Sequence, residues 1–170
     1  IILSKILKKR GYKVFGFARK INLNSNNASC YSTLNKKFSQ IKRKIDEIRP
    51  DTIVHLGSDN PSYKKKFGHK DYKKNLFFTK NLIDYVSANN EVKLIFASSS
   101  QIFKKTNKKV NENSLINKKN YYSRFRIDSA EYLLEKKKKF KLNATVIILF
   151  NHDSKYRNLR FLLPRLMRAI

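Results

Sequence analysis

The chain has 170 residues, 39 of them Lys or Arg against 12 Asp or Glu, for a formal net charge of +27. Hydrophobic residues make up 41% and aromatics 12%, enough to bury one ordinary core, which excludes wholesale disorder. The lone Cys30 excludes a disulfide framework and any multi-cysteine zinc site, and no apolar run approaches the roughly 18 residues that span a bilayer.

Residues 1–10 lack the long apolar stretch and small-residue cleavage site of a secretory signal. Ile2, Ile6 and Leu7 fall at helical spacing with lysines opposite, which predicts a helix. A strand over 12–18 follows the glycine turn at Gly11, and the Asn/Ser-rich stretch 22–35 reads as a loop. Phe38, Ile41, Ile45 and Ile48 share one face of a helix over 38–49 that Pro50 stops. Residues 52–56 (Thr-Ile-Val-His-Leu) form a continuous apolar strand. A helix over 71–88 carries Leu76, Leu82, Ile83 and Val86. The buried-type strand 92–97 runs into Ser98, Ser99 and Ser100, and a Lys/Asn-rich loop covers 104–120. A helix over 121–140 offers Ile127, Ala130, Leu133 and Leu134 for packing, and 144–150 is the last strand. Alternation of β-branched strands with helices predicts a parallel sheet covered by helices on both faces.

The charge is spread rather than focused. Lys outnumbers Arg 29 to 10, in short clusters such as Lys64 to Lys66 and Lys108–Lys109. The one block, Lys136 to Lys139, closes a predicted helix, where cations suit the macrodipole. Nucleic-acid binders gather Lys and Arg on one element or face, so neither a nucleic-acid nor a membrane partner is expected. A positive field nevertheless attracts a phosphate-bearing substrate. A basic polyanion binder stays open as an alternative, with a steep loss of affinity in salt as its signature.

In a parallel sheet of this kind, ligands bind beyond the carboxyl ends of the strands. Polar clusters stand at those ends: Arg19-Lys20, Ser98 to Gln101, and Asn151 to Ser154, with Tyr121-Tyr122 opening a helix. A Ser and a Tyr hydroxyl together, with a cation four residues after the Tyr, suit proton transfer. The cation favours phenolate, while the Ser hydrogen-bonds the reacting carbonyl or alcohol. Spacing of four puts Tyr122 and Arg126 on one helical face.

Three segments carry a family resemblance: 97–103 (Ala-Ser-Ser-Ser-Gln-Ile-Phe), Tyr122 with Arg126 four on, and 148–154 (Ile-Leu-Phe-Asn-His-Asp-Ser). Together they resemble the extended short-chain dehydrogenase/reductase family, also called the NAD-dependent epimerase/dehydratases. Within it the chain is most similar to the GDP-mannose 4,6-dehydratase group, through 149–154, Arg157, and Arg168-Ala169-Ile170. The resemblance implies a Rossmann-type, doubly wound parallel sheet in α/β class. Residues 1–150 are expected to be a partial NADP-binding domain, lacking a first strand and its glycine-rich turn. Residues 151–170 are expected to begin a C-terminal substrate lobe, with both ends looking cut.

The implied function is that of an NADP-dependent lyase, converting GDP-mannose to GDP-4-keto-6-deoxy-mannose by hydride transfer and loss of water. Ser99 matches the residue that hydrogen-bonds the sugar's carbon-4 oxygen, and Tyr122 the base that takes the carbon-4 hydroxyl proton. Arg126 stands where the family usually has Lys, beside the nicotinamide ribose. Arg19 and Lys20 match the pair receiving the 2′-phosphate, which favours NADP over NAD. Leu56, Gly57 and Ser58 match backbone lining the pyrophosphate and ribose; Tyr72, His152 and Arg157 match further cofactor contacts. Ser100 and Asn151 would face the sugar nucleotide. A homo-oligomer formed through the helices at 71–88 and 121–140, and a cytoplasmic location, complete the expectation.

The departures are specific. The dehydratases carry a Glu where Gln101 stands, and an amide cannot act as a general base. Hydride transfer survives that change better than dehydration does, so a reductase or epimerase of the same family is the alternative, with a non-catalytic Rossmann binding protein beyond it. Arg126 keeps the charge but replaces a point ammonium by a planar fork. Thr33-Leu34 occupies the place of an acidic residue near the adenine. His55 reads as a packed histidine and His69 lies in a lysine-rich loop, so no metal is expected.

Overall fold

The computed structural model describes residues 2–19, 29–61, 66–152, 159 and 161–169. Its contacts divide the chain into two compact units, Ile1–Arg49 and Pro50–Ile170.

The first unit holds α1 (Ile2–Lys9), β1 (Phe15–Ala18), β2 (Ser29–Ser32) and α2 (Phe38–Ile48). β1 and β2 pair in parallel, from Phe15 opposite Ser29 to Ala18 opposite Ser32. β2 corrects the loop expected over 22–35. Its Ser-Cys-Tyr-Ser sequence has no apolar run, and pairing with β1 supplies the ladder that local patterning does not show. α2 buries Ile41 and Ile45, as its spacing predicts. The Gln40 side-chain carbonyl accepts the Lys37 N–H at 3.0 Å and starts the helix. Arg49 ends it in the left-handed region (φ 48°), its N–H on the Ile45 carbonyl at 2.9 Å.

The second unit holds β3 (Thr52–His55), α3 (His69–Ser87), β4 (Lys93–Ser99), a 3-10 turn (Ser100–Ile102), α4 (Tyr121–Phe140), β5 (Ala144–Leu149) and α5 (Leu162–Ala169). The three strands are parallel in the order β3-β4-β5. Both crossovers step the same way along this sheet, so right-handed connections place α3 and α4 on one face, where they pack against each other and β4. Phe96, Phe125, Ile83, Leu94, Leu133 and Val86 are fully buried between them. Each such side chain contributes about 1.5–3 kcal/mol by leaving water. Leu134, expected to pack, is 54% exposed because it falls on the outer face of α4. Parallel strands joined by helical crossovers make this an α/β fold of Rossmann type.

The ends of α4 follow from side-chain chemistry. The Asn120 side-chain oxygen accepts the Ser123 N–H at 2.8 Å at one end. At the other, Lys141 turns the chain with φ 52°, and the Lys137 ammonium donates to the Ala144 carbonyl at 2.8 Å. The lysine block thus serves the helix terminus. Two polar ties fasten α3 to α4: the Tyr72 hydroxyl donates to Asp128 at 2.7 Å, and the Tyr132 hydroxyl to Asp84 at 2.7 Å. Among the described residues, no helix is long and apolar enough to cross a membrane.

Candidate functional site

β3 and β4 lie side by side, and the segment after β3 meets α4 at their carboxyl ends through Arg126. That residue projects from the second turn of α4 and is only 5% exposed. Its Nη1 donates to the Ala97 carbonyl of β4 at 2.6 Å. Its Nη2 donates to Ser58 Oγ at 2.6 Å and, more weakly, to Asn60 Oδ1 at 3.4 Å. The guanidinium carbon lies 5.1 Å from the ring centres of both Tyr122 and Phe125, and 6.0 Å from that of Phe96. Every one of these partners is neutral. Among the described residues, no carboxylate pairs with this buried cation, although burying an unpaired charge is costly.

Tyr122 is itself buried, at 8% exposed, and its ring meets Phe67 edge-on at 5.4 Å. The predicted pairing of Tyr122 with Arg126 on one helix face is therefore present. Ser99 closes β4, and its Oγ accepts the Gln101 N–H at 3.3 Å, which starts the 3-10 turn. α4 packs against both β4 and that turn, so the serine-bearing strand end and the Tyr122 helix are neighbours. Ser100 is half-buried and Gln101 exposed. Ser98 is buried, and its Oγ has no partner among the described residues; neither has Arg126 Nε.

The remaining predicted residues divide by location. Leu56 and Gly57 are exposed just beyond β3. A Cβ at Gly57 would meet only the His55 ring, at 3.8 and 3.9 Å, so the backbone there faces open space. Ser58 is half-buried and committed to Arg126. Tyr72 is spent on the α3–α4 seam, where burial and then its bond to Asp128 push its pKa up. Its ring stacks on His69 at 6.3 Å and meets Tyr121 at 6.1 Å. Asn151 and His152 are exposed beyond β5, with His152 Nδ1 2.7 Å from the Phe150 carbonyl. Arg19 is exposed at the end of β1 in the first unit; Lys20 and Arg157 lie outside the described residues.

His55 is packed, as its place in an apolar strand predicts. Its Nε2 sits 2.9 Å from Thr79 Oγ1, between the rings of Phe78 and Phe96. Burial, aided by the Arg126 charge, pulls its pKa down to about 4. Among the described residues, no group of three or more His, Cys, Asp or Glu could hold a metal. Two features escaped the sequence. Asn60 shares the Arg126 guanidinium, and Asn75 holds the backbone after β3, accepting the Asp59 N–H at 2.9 Å and donating to the Asp71 carbonyl at 2.6 Å. An Asn in the interior of a helix was the one available hint, since that residue otherwise disfavours helix.

A sequence-family model described as the NAD dependent epimerase/dehydratase family matches residues 2–170. No curated protein matches the chain in sequence. Among solved structures, dTDP-glucose 4,6-dehydratase from Bacillus anthracis, in complex with NAD, aligns with a TM-score of 0.82 at 17% identity, over 99% of this chain and 56% of that one. UDP-glucose 4-epimerase from Brucella ovis, also with NAD, gives 0.76 at 16% identity, over 87% and 47%. UDP-glucose 4-epimerase from Thermotoga maritima, with UDP-glucose, gives 0.70 at 21% identity, over 83% and 48%. The chain spans about half the length of these structures, and identities this low speak for the fold alone.

Proposed function

Because the chain belongs to the NAD dependent epimerase/dehydratase family, we propose that it carries the nicotinamide-side chemistry of a nucleotide-sugar enzyme, specifically an NADP-linked 4,6-dehydratase acting on GDP-mannose. The observation that carries this reading is the buried cation of Arg126, unpaired by any described carboxylate and 5.1 Å from the ring of the buried Tyr122. A cation kept at that expense suits a phenol that must give up its proton, or a ligand that brings negative charge.

The residues present fit a nicotinamide cofactor. Ser98 Oγ and Arg126 Nε are buried polar atoms without described partners, and the backbone at Gly57 faces open space. Such a cofactor, when bound, would take a hydride from carbon 4 of the sugar and return it at carbon 6 after water is lost across carbons 5 and 6. Tyr122 Oη would take the carbon-4 hydroxyl proton, and Ser99 would hydrogen-bond the same oxygen. The backbone of Leu56, Gly57 and Ser58 would line the ribose and pyrophosphate, with His152, Arg157 and the ring of Tyr72, whose hydroxyl is held by Asp128, contributing further cofactor contacts. Ser100 and Asn151 would meet the sugar nucleotide, Asn151 opening a substrate lobe over 151–170. Arg19 and Lys20 supply the preference for NADP, which their charge supports and which the NAD-containing relatives do not share by name. Self-association would use α3 and α4, on whose outer faces Phe77 and Leu134 are 66% and 54% exposed. A cytoplasmic location accompanies this metabolism.

One observation favours a second reading. Gln101 stands exposed on the 3-10 turn and offers an amide where water elimination needs a base, so a reductase or epimerase of the same family is the alternative. Incubation with GDP-mannose and NADP, and separately with NAD, tests both. Formation of the 4-keto-6-deoxy sugar with NADP supports the dehydratase. Unchanged GDP-mannose, with turnover of a 4-keto sugar and NADPH, moves the assignment to a reductase; no turnover and no cofactor binding moves it to a non-catalytic binding protein.

A further inference from the structure

We propose that the Ser58 hydroxyl is a positioning residue that aims the Arg126 cation at Tyr122. The role rests on the proposed reading of that cation, yet it has a structural signature of its own. Arg126 reaches out of α4 and is held from two sides. The Ala97 carbonyl holds Nη1 from β4, and Ser58 with Asn60 holds Nη2 from the segment after β3. The Ala97 acceptor is backbone and would be there with any side chain at that position. The Asn60 contact, at 3.4 Å, is long for a hydrogen bond. Ser58 Oγ, at 2.6 Å, makes the short charge-assisted bond, so it is the side chain that decides where Nη2 points.

The hydroxyl is itself fixed. Ser58 Oγ donates its single proton to Asn60 Oδ1 at 3.2 Å and accepts from Arg126 with a lone pair, which closes a triangle of three side chains. The triangle ties the strand-end segment to α4 and sets the 5.1 Å spacing from guanidinium to phenol ring. A planar fork is required for this. Its two terminal nitrogens bridge Ala97 and Ser58 at once, whereas an ammonium offers one nitrogen to both. Arg at 126 and Ser at 58 therefore act as a unit, and the cation is oriented by the protein before any ligand arrives.

Two measurements separate this claim from the reading it rests on. Exchange of the Arg126 guanidinium protons, followed by nitrogen-15 NMR in the chain without ligand, reports the orientation directly. These protons should exchange at least about tenfold faster in Ser58→Ala, the loss expected for one charge-assisted bond, and Ser58→Thr should restore them. Equal exchange in wild type and Ser58→Ala overturns the proposal. NADPH titration of Ser58→Ala, Arg126→Lys and the double variant supplies the functional arm. Ser58→Ala should weaken binding roughly tenfold in the wild-type background and add nothing to Arg126→Lys. Equal weakening in both backgrounds also overturns the proposal, because Ser58 would then act without Arg126. If wild type binds no NADPH, the nicotinamide reading fails, and the exchange measurement still decides the positioning role.

Discussion

His55 gives the structure a pH dependence whose sign and size follow from its surroundings. It is 7% exposed, bonded to Thr79, flanked by Phe78 and Phe96, and its pKa is pulled down to about 4 by burial and then by the Arg126 charge. In the unfolded chain the imidazole titrates at about 6.5. The folded value lies below the unfolded one, so the contribution to stability is fully present above about pH 6.5 and is lost as pH falls toward about 4. Between about pH 7 and about pH 5 the unfolded chain gains a proton that the folded chain refuses, which costs about 2 kcal/mol of stability. For a chain of this length that corresponds to a fall in Tm of about 4–8 °C. The assay is urea unfolding from about pH 7.5 to about pH 5, a range above ordinary carboxylate titration. Wild type is compared with His55→Gln, whose amide can still reach Thr79. His69 and His152 are present in both proteins, so their effects cancel in the difference. The variant should lose most of the slope between about pH 7 and about pH 5. A wild-type stability flat over that range, or a slope retained in His55→Gln, refutes the reasoning.

Further outcomes follow from other parts of the structure. Lys141 ends α4 at φ 52°, where a side chain is strained and glycine is not, so Lys141→Gly should raise stability by about 1 kcal/mol in the same unfolding assay. Tyr72→Phe removes the 2.7 Å bond to Asp128 and leaves the ring stacking; it should cost about 1 kcal/mol, with no change in helix content by circular dichroism. Gln101→Glu supplies the missing base on the 3-10 turn and should raise formation of the 4-keto-6-deoxy sugar by about a hundredfold, measured by product analysis.

The parts of the fold legible in the sequence were those built on local periodicity. α4 runs over Tyr121–Phe140, the span its pattern predicts, because Asn120 and the lysine block mark its ends. α2 shows the same agreement through Ile41, Ile45 and Pro50. β4 runs two residues farther than its apolar core, through Ser98 and Ser99, since main-chain pairing with β5 carries it on. β2 was hidden because Ser-Cys-Tyr-Ser holds no apolar run and its strand nature comes from a partner more than ten positions away. The same limit applies at the site. The Tyr122–Arg126 pairing is a four-residue relation within one helix and could be read directly. The bond from Arg126 to Ser58 joins residues 68 positions apart, and no local pattern announces it. The division of contacts at Arg49–Pro50 reflects which strands share a ladder, which no local pattern announces either.

The most direct test of the account is a single-turnover experiment with GDP-mannose and NADP, following the absorbance of reduced nicotinamide in wild type, Tyr122→Phe and Ser99→Ala. Transient reduction in wild type, slowed at least about a hundredfold in Tyr122→Phe and clearly slowed in Ser99→Ala, is the predicted result. Reduction at the wild-type rate in Tyr122→Phe would contradict the assignment of this strand end as the place where hydride leaves the sugar.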